Sequence, residues 1–247
     1  MASKPNKKLS GKIALVTGGS RGIGKAVAMA YAQEGAGAFI CARGNTDLRQ
    51  AVGDIRAAGG EVGGCIGDVG SPADAKSIVQ AGLEQFGQLD VLVNNASSLG
   101  PRVAIAQYPL SAWEDVLRVN LTGTFLMIQE ALKPMIPRQR GSIINVSSGV
   151  GRVGRARWGG YAASKFGVEG LTQVLADELR EFGIRANSVN PGPTRTEMRA
   201  LAYPEEDPLT LPTPHHVAPV FVYLASDDSA AVTGQSFDAR DWLKRPH

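Results

Sequence analysis

Cysteine is scarce: Cys41 and Cys65 are the only two among 247 residues. A disulfide framework would need more of them in a much shorter secreted chain. Each lies inside an apolar run, and both read as buried free thiols of a reducing compartment. Of three histidines, His215 and His216 are adjacent, with no third ligand at a metal-binding spacing, so no metal centre is expected. No stretch approaches the roughly 20 apolar residues of a membrane span. The start lacks the apolar core of a signal peptide, and a cytoplasmic location is expected. A strong charge bias is missing too. With 26 basic and 23 acidic side chains the formal charge is +3, too small to point to nucleic acid or a membrane surface. Part of that excess, Lys4, Lys7 and Lys8, sits in MASKPNKKLSG, read as a flexible tail over residues 1–10.

What is present is the composition of a globular domain, 43% hydrophobic and 20% charged, on a chain long enough to bury a large core without staples. Over residues 11–247, strand and helix patterns alternate with no repeat or linker, so one domain is expected. Strand patterns fall at 12–17 (KIALVT), 38–42 (AFICA), 61–66, 89–93 (LDVLV), 142–146 (SIINV), 184–189 and 235–237. Helical patterns fall at 24–35, 47–58, 71–87, 111–135, 161–182 and 215–225. The third opens with Ser71 as cap before Pro72 and stops at Gly87. In the fourth, Ser111 and Glu114 have the spacing of a capping box. The stretch 194–213, rich in proline, reads as a structureless lid or substrate loop. Strands alternating with helices predict an α/β fold: a doubly wound sheet of about seven parallel strands with helices on both faces. Ligands of such sheets lie beyond the carboxyl ends of the strands.

The first strand runs into TGGSRGIG at 17–24, where a helix opens. Unpaired N–H groups and the positive end of the dipole make a helix start attractive to phosphate. Glycine removes the Cβ that would hold a diphosphate away. Gly18, Ser20, Arg21, Gly22, Ile23 and Gly24 are therefore expected to hold a dinucleotide. At the end of the second strand an acidic residue would bind the ribose 2′-hydroxyl of NAD and repel a 2′-phosphate. Here Arg43 stands in that place, with Arg21 as a second cation, which favours NADP(H) over NAD(H).

After the fifth strand, YAASK sets Tyr161 and Lys165 four residues apart on one helix face. Ser147 and Ser148 end that strand, and Asn120 sits among apolar neighbours in RVNLTGTF. A carbonyl reductase needs an acid to protonate the developing alkoxide. Free tyrosine, with pKa about 10, donates readily but is a poor base in reverse. A nearby ammonium favours phenolate and is expected to draw that pKa toward the working range. Ser148 can hydrogen-bond the substrate oxygen.

Together TGGSRGIG, Asp68-Val69, NNA at 94–96, Asn120, Ser148, YAASK and PGP at 191–193 resemble the short-chain dehydrogenase/reductase family, and 3-oxoacyl-carrier-protein reductases within it. The match runs from about Gly11 to Gly234. The resemblance implies a Rossmann fold and a catalytic tetrad of Asn120, Ser148, Tyr161 and Lys165. In it Tyr161 is the acid/base, Lys165 also holds the nicotinamide ribose, and Asn120 positions a relay water. It implies adenine contacts from Asp68 and Val69, and cofactor contacts from Asn95 and Ala96. Pro191, Gly192 and Thr194 would shape the nicotinamide side. A homodimer or homotetramer paired through the two long helices is implied as well. Three features depart from the family: Ser97 where glycine is usual, a C-terminus GQSFDARDWLKRPH without the usual glycine pair, and a proline-heavy loop after Gly192.

The loop GVGRVGRARWGG carries Arg152, Arg155 and Arg157 beside Trp158, which suits an anionic substrate such as a carboxylate or an acyl thioester of phosphopantetheine. The leading expectation is NADPH-dependent reduction of a ketone to a secondary alcohol. An alcohol, sugar or steroid dehydrogenase working oxidatively is the alternative within enzymes. From another class, a non-catalytic nucleotide-binding sensor would have no need of a phenol beside an ammonium.

Overall fold

The computed structural model describes residues 7–242. Short runs apolar on both faces become the strands of a single sheet: β1 (Ile13–Thr17), β2 (Gly37–Ala42), β3 (Val62–Ile66), β4 (Val91–Asn94), β5 (Gly141–Val146), β6 (Ile184–Asn190) and β7 (Ser236–Asp238). All pairs are parallel, in the order β3-β2-β1-β4-β5-β6-β7. Val16 of β1 faces Ile40 of β2 on one side and Val93 of β4 on the other. The order reverses between β1 and β4, which opens a crevice at their carboxyl ends.

Helices α1 (Gly22–Gln33), α2 (Asn45–Ala57) and α8 (Pro214–Ala225) cover one face, and α3 (Pro72–Phe86), α5 (Gly123–Met135) and α6 (Gly159–Glu178) the other. The fully buried Tyr31 of α1 donates its hydroxyl to the Phe221 carbonyl of α8 at 3.0 Å, locking two helices of one layer. As expected, α3 is capped by Ser71, whose Oγ accepts from Asp74 N, and it ends at Gly87 with φ 75°.

Three expectations need correction. The helix expected over 111–135 begins one residue earlier, as α4 (Leu110–Leu117), and its N-cap is Pro109 without a side-chain cap, so the Ser111 capping box does not form. Its axis runs through a π-helical turn, Arg118–Thr122, before α5 resumes. The stretch 194–213 is not structureless. Thr196 Oγ1 accepts from Arg199 N at 3.1 Å and caps α7 (Glu197–Ala202), and a 3₁₀ turn follows at Pro208–Thr210. The packed chain also starts before residue 11: Leu9 is fully buried, and Lys8 pairs with Asp228 at 3.0 Å. Residues 1–6 of the expected tail, Lys4 among them, lie outside the described residues. A final short helix, α9 (Ala239–Trp242), follows β7 directly.

Candidate active site

Beyond the carboxyl ends of β1, β4, β5 and β6 lies a cleft of about 1500 Å³. Its floor is the glycine turn. Gly18 has φ +63°, and a Cβ there would stand 3.0 Å from Ala96 Cα. A Cβ on Gly24 would run into the Gly18 carbonyl and the Asn95 amide, so Gly24 lies beneath the turn and shapes it. Side chains hold the turn to the loop after β4. Thr17 Oγ1 accepts from Asn95 N at 2.9 Å and Ala96 N at 3.0 Å, while Asn95 Nδ2 donates to Thr17 O at 2.9 Å. Gly18, Ser20, Arg21, Gly22 and Ile23 all line the cleft. A bare-backbone cradle ahead of a helix N-terminus, at the sheet's switch point, fits the diphosphate of a dinucleotide.

Arg43 lines the same cleft just past β2. Arg21 is engaged elsewhere: its guanidinium donates to Glu197 at 2.5 Å, tying the glycine turn to α7, although both side chains remain mostly exposed. Asp68 and Val69 line the cleft beyond β3. Against the burial that raises it, the Gly70 N–H and Arg118 hold the Asp68 carboxyl below its usual range. Asn95, Ala96, Pro191, Gly192 and Thr194 are in the wall as well.

Tyr161 and Lys165 come from the first turns of α6, and Ser148 caps the 3₁₀ turn Gly149–Gly151 after β5. Lys165 is 3% exposed; its Nζ donates to the Val146 carbonyl at 2.7 Å and stands 5.5 Å from the Tyr161 ring centroid. Burial draws the Lys165 ammonium down to about 8, and Glu169, one turn along, opposes that fall. Burial pushes the Tyr161 phenol up to about 12. This corrects the expectation that the nearby ammonium draws the phenol toward the working range: burial dominates, and Lys165 gives its hydrogen bond to a carbonyl. The hydroxyls of Ser97 and Ser148 act the other way and favour phenolate.

Asn120 does not line the cleft. Fully buried in the π turn, it accepts from Ser98 N at 2.7 Å and donates to Ser98 O at 2.9 Å and to Ser164 Oγ at 3.0 Å. The widened turn aims this amide at the loop after β4, which is why a polar residue stands there among apolar neighbours.

Beside Tyr161 the fold builds an aromatic stack that sequence reasoning did not find. Trp158 packs on Tyr161 at 5.5 Å and on Tyr203 at 6.0 Å between ring centroids. The Arg102 guanidinium lies 4.6 Å from the Trp158 ring centre and 4.5 Å from that of Tyr203, and donates to the Ala202 carbonyl. Of the three loop arginines, Arg155 lines the cleft. Arg152 is committed to Glu169 and Asp238, and Arg157 is exposed at φ 68°. The C-terminal stretch without a glycine pair uses Asp238 to tie down both Arg152 and Asn190; residues 243–247 lie outside the described residues. His216 Nδ1 accepts from Thr213 N at the start of α8, a capping role. Among the described residues, no group of three or more His, Cys, Asp or Glu side chains is placed to hold a metal, and no helix is long and apolar enough to cross a membrane.

The chain matches the short chain dehydrogenase family model over residues 12–207. It is 40% identical to the oxidoreductase YciK of Escherichia coli (strain K12), across 96% of this chain and 94% of that one. It is 37% identical to the 3-oxoacyl-[acyl-carrier-protein] reductase FabG of Thermotoga maritima, across 92% and 96%. A short chain dehydrogenase from Escherichia coli CFT073, solved in complex with NADPH, superposes with a TM-score of 0.91 at 40% identity, covering 96% of this chain and all of the other. A seven-stranded parallel sheet, a side-chain-free turn at its switch point and a buried tyrosine–lysine pair at its carboxyl edge agree with those matches: the chain belongs to the short-chain dehydrogenase/reductase family and is an oxidoreductase.

Proposed function

We propose that the protein is a cytoplasmic, NADP(H)-dependent carbonyl reductase, with Tyr161 as proton donor. The observation that carries this reading is the meeting of Ser148, Tyr161 and Lys165 in a cleft floored by bare backbone. Gly18, Ser20, Gly22 and Ile23 would hold the diphosphate, Asp68, Val69, Asn95 and Ala96 the adenosine half, and Pro191, Gly192 and Thr194 the nicotinamide side. When bound, the reduced dinucleotide supplies a hydride. Arg43 stands where a 2′-phosphate would need a cation, and the NADPH complex of a 40% identical relative supports that preference.

Ser148 donates a hydrogen bond to the substrate carbonyl, polarising it and fixing it against Tyr161. As negative charge gathers on that oxygen, the Tyr161 O–H bond breaks and its proton passes across. The phenolate left behind is favoured by the Lys165 ammonium, held by the Val146 carbonyl. Asn120 sets the geometry indirectly, clamping the Ser98 backbone on the cleft's rim. An anionic group on the substrate suits this end, because Arg155 lines the cleft and Arg102 lies under Trp158. Phe125, Phe166 and Val174, exposed on α5 and α6, support pairing of copies through those helices.

Oxidation of NADPH and NADH over a panel of ketones, quinones and 3-oxoacyl thioesters tests the reading. Consumption of NADPH faster than NADH is expected, with anionic ketones ahead of neutral ones. A folded protein that binds NADPH and reduces no carbonyl would overturn it.

A further inference from the structure

On β6 the side chains of Ile184 and Ala186 pack into the core beneath α6. At the next two positions of that face the side chains turn polar, as Ser188 and Asn190. Their register partners on β7, Ser236 and Asp238, are polar as well. Polar groups withdrawn from water are costly unless they find partners, and these are joined into one network. Glu169 of α6 accepts from Ser188 Oγ at 2.7 Å and from Ser236 Oγ at 2.8 Å. Arg152 bridges Glu169 and Asp238, donating to the first at 3.2 Å and to the second at 2.9 Å. The other oxygen of Asp238 accepts from Asn190 Nδ2 at 2.5 Å, and Asn190 Oδ1 accepts from Gly192 N at 3.0 Å. Hydrogen bonds thus run unbroken from the helix that carries Tyr161 and Lys165 to the backbone of Gly192. Asn190, Gly192 and Asp238 all line the cleft.

We propose that Asp238 is a positioning residue for the nicotinamide side of the cleft: through Asn190 it holds Gly192 in place relative to Ser148 and Lys165. This rests on the reading above that Pro191, Gly192 and Thr194 face the nicotinamide. Pro191 has no N–H to give, so the Gly192 amide is the first main-chain donor after β6 by which the loop can be tied. Arg152 fixes the carboxylate in turn, its planar fork spanning two acids as a lysine could not. Arg240, just beyond Asp238, presses on the same glycine: a Cβ there would stand 3.3 Å from its Nε and 3.4 Å from its Cδ. The C-terminal stretch that departs from the family is therefore what holds this loop. Thr194 Oγ1 adds a local tie, donating to the Pro191 and Gly192 carbonyls at 3.3 Å each. That tie survives replacement of Asp238, so the loop is loosened and not lost.

Asp238→Ala and Asn190→Ala cut the network at different links, the second leaving the Arg152–Asp238 pair intact. Three quantities are measured: exchange of the Gly192 amide by NMR in protein without dinucleotide, affinity for NADPH, and affinity for 2′-phospho-ADP-ribose, which is NADP without its nicotinamide. In both variants the Gly192 amide should exchange about tenfold faster and NADPH should bind about tenfold more weakly, while the fragment binds as to native protein. Asp238→Asn keeps an oxygen for Asn190 and should recover most of the loss. A merely structural role predicts that NADPH and the fragment weaken together with no rescue by asparagine, and that result would overturn the proposal. Native NADPH affinity in both alanine variants would overturn it as well. Should Asp238→Ala not fold, Asn190→Ala carries the test, since it retains the ion pair. Native protein that binds NADPH no more tightly than the fragment would refute the nicotinamide-side reading itself, before any variant is made.

Discussion

Lys165 shows what a buried ammonium costs the molecule that carries it. Its ammonium is 3% exposed and is drawn from 10.5 to about 8 by burial. Below pH 8 both folded and unfolded chains carry the proton, and the folded one bears the full penalty of a buried charge. Between pH 8 and 10.5 the unfolded chain binds more protons, so stability rises with pH. Urea unfolding at pH 7 and pH 10 should show native protein gaining about 2–3 kcal/mol more than Lys165→Met, which lacks the titrating group. Equal gains would contradict this account of Lys165. The Tyr161–Lys165 pair was readable because four residues of helix bring its members together whatever the rest of the chain does. Arg102 was not, since it meets Trp158 and Tyr203 only when distant segments converge. The same holds for Arg152, spent on Glu169 and Asp238 from α6 and the C-terminal strand instead of facing substrate.

Among elements, the glycine turn joins sequence to function most directly. Gly24 contributes nothing to the cleft wall, yet a methyl there meets the Gly18 carbonyl and the Asn95 amide, both held by neighbouring strands. Gly24→Ala should therefore cost about 1–3 kcal/mol in urea unfolding, as overpacking does. Binding of NADPH, followed by titration, should weaken at least tenfold; native stability together with native affinity would show the turn to be more yielding than described. Strands were legible because parallel strands buried on both faces read as continuous apolar runs. The π turn was not, because one extra residue in a helical turn leaves the apolar spacing of Ser111 to Met135 almost unchanged. Its signal was Asn120 alone. The Ser111 cap failed because Pro109 already sets the entry to α4, and α7 was masked by prolines around a Thr196 cap.

At the scale of the whole molecule, two helix layers close both sheet faces and leave the carboxyl edge for chemistry. Phe125 and Phe166 remain 45% and 46% exposed on α5 and α6, an apolar surface suited to a second copy. Exchanging both for lysine should halve the mass seen by light scattering, or reduce it further, while the melting transition stays cooperative. An unchanged mass would place any interface elsewhere. In the reaction proposed above, chemistry at the open edge depends on one oxygen, that of Tyr161. Tyr161→Phe removes that oxygen and little else, so NADPH binding measured by fluorescence should be native while single-turnover reduction of the best ketone falls by about a thousandfold. Native binding with native turnover would contradict the assignment of Tyr161 as the proton donor.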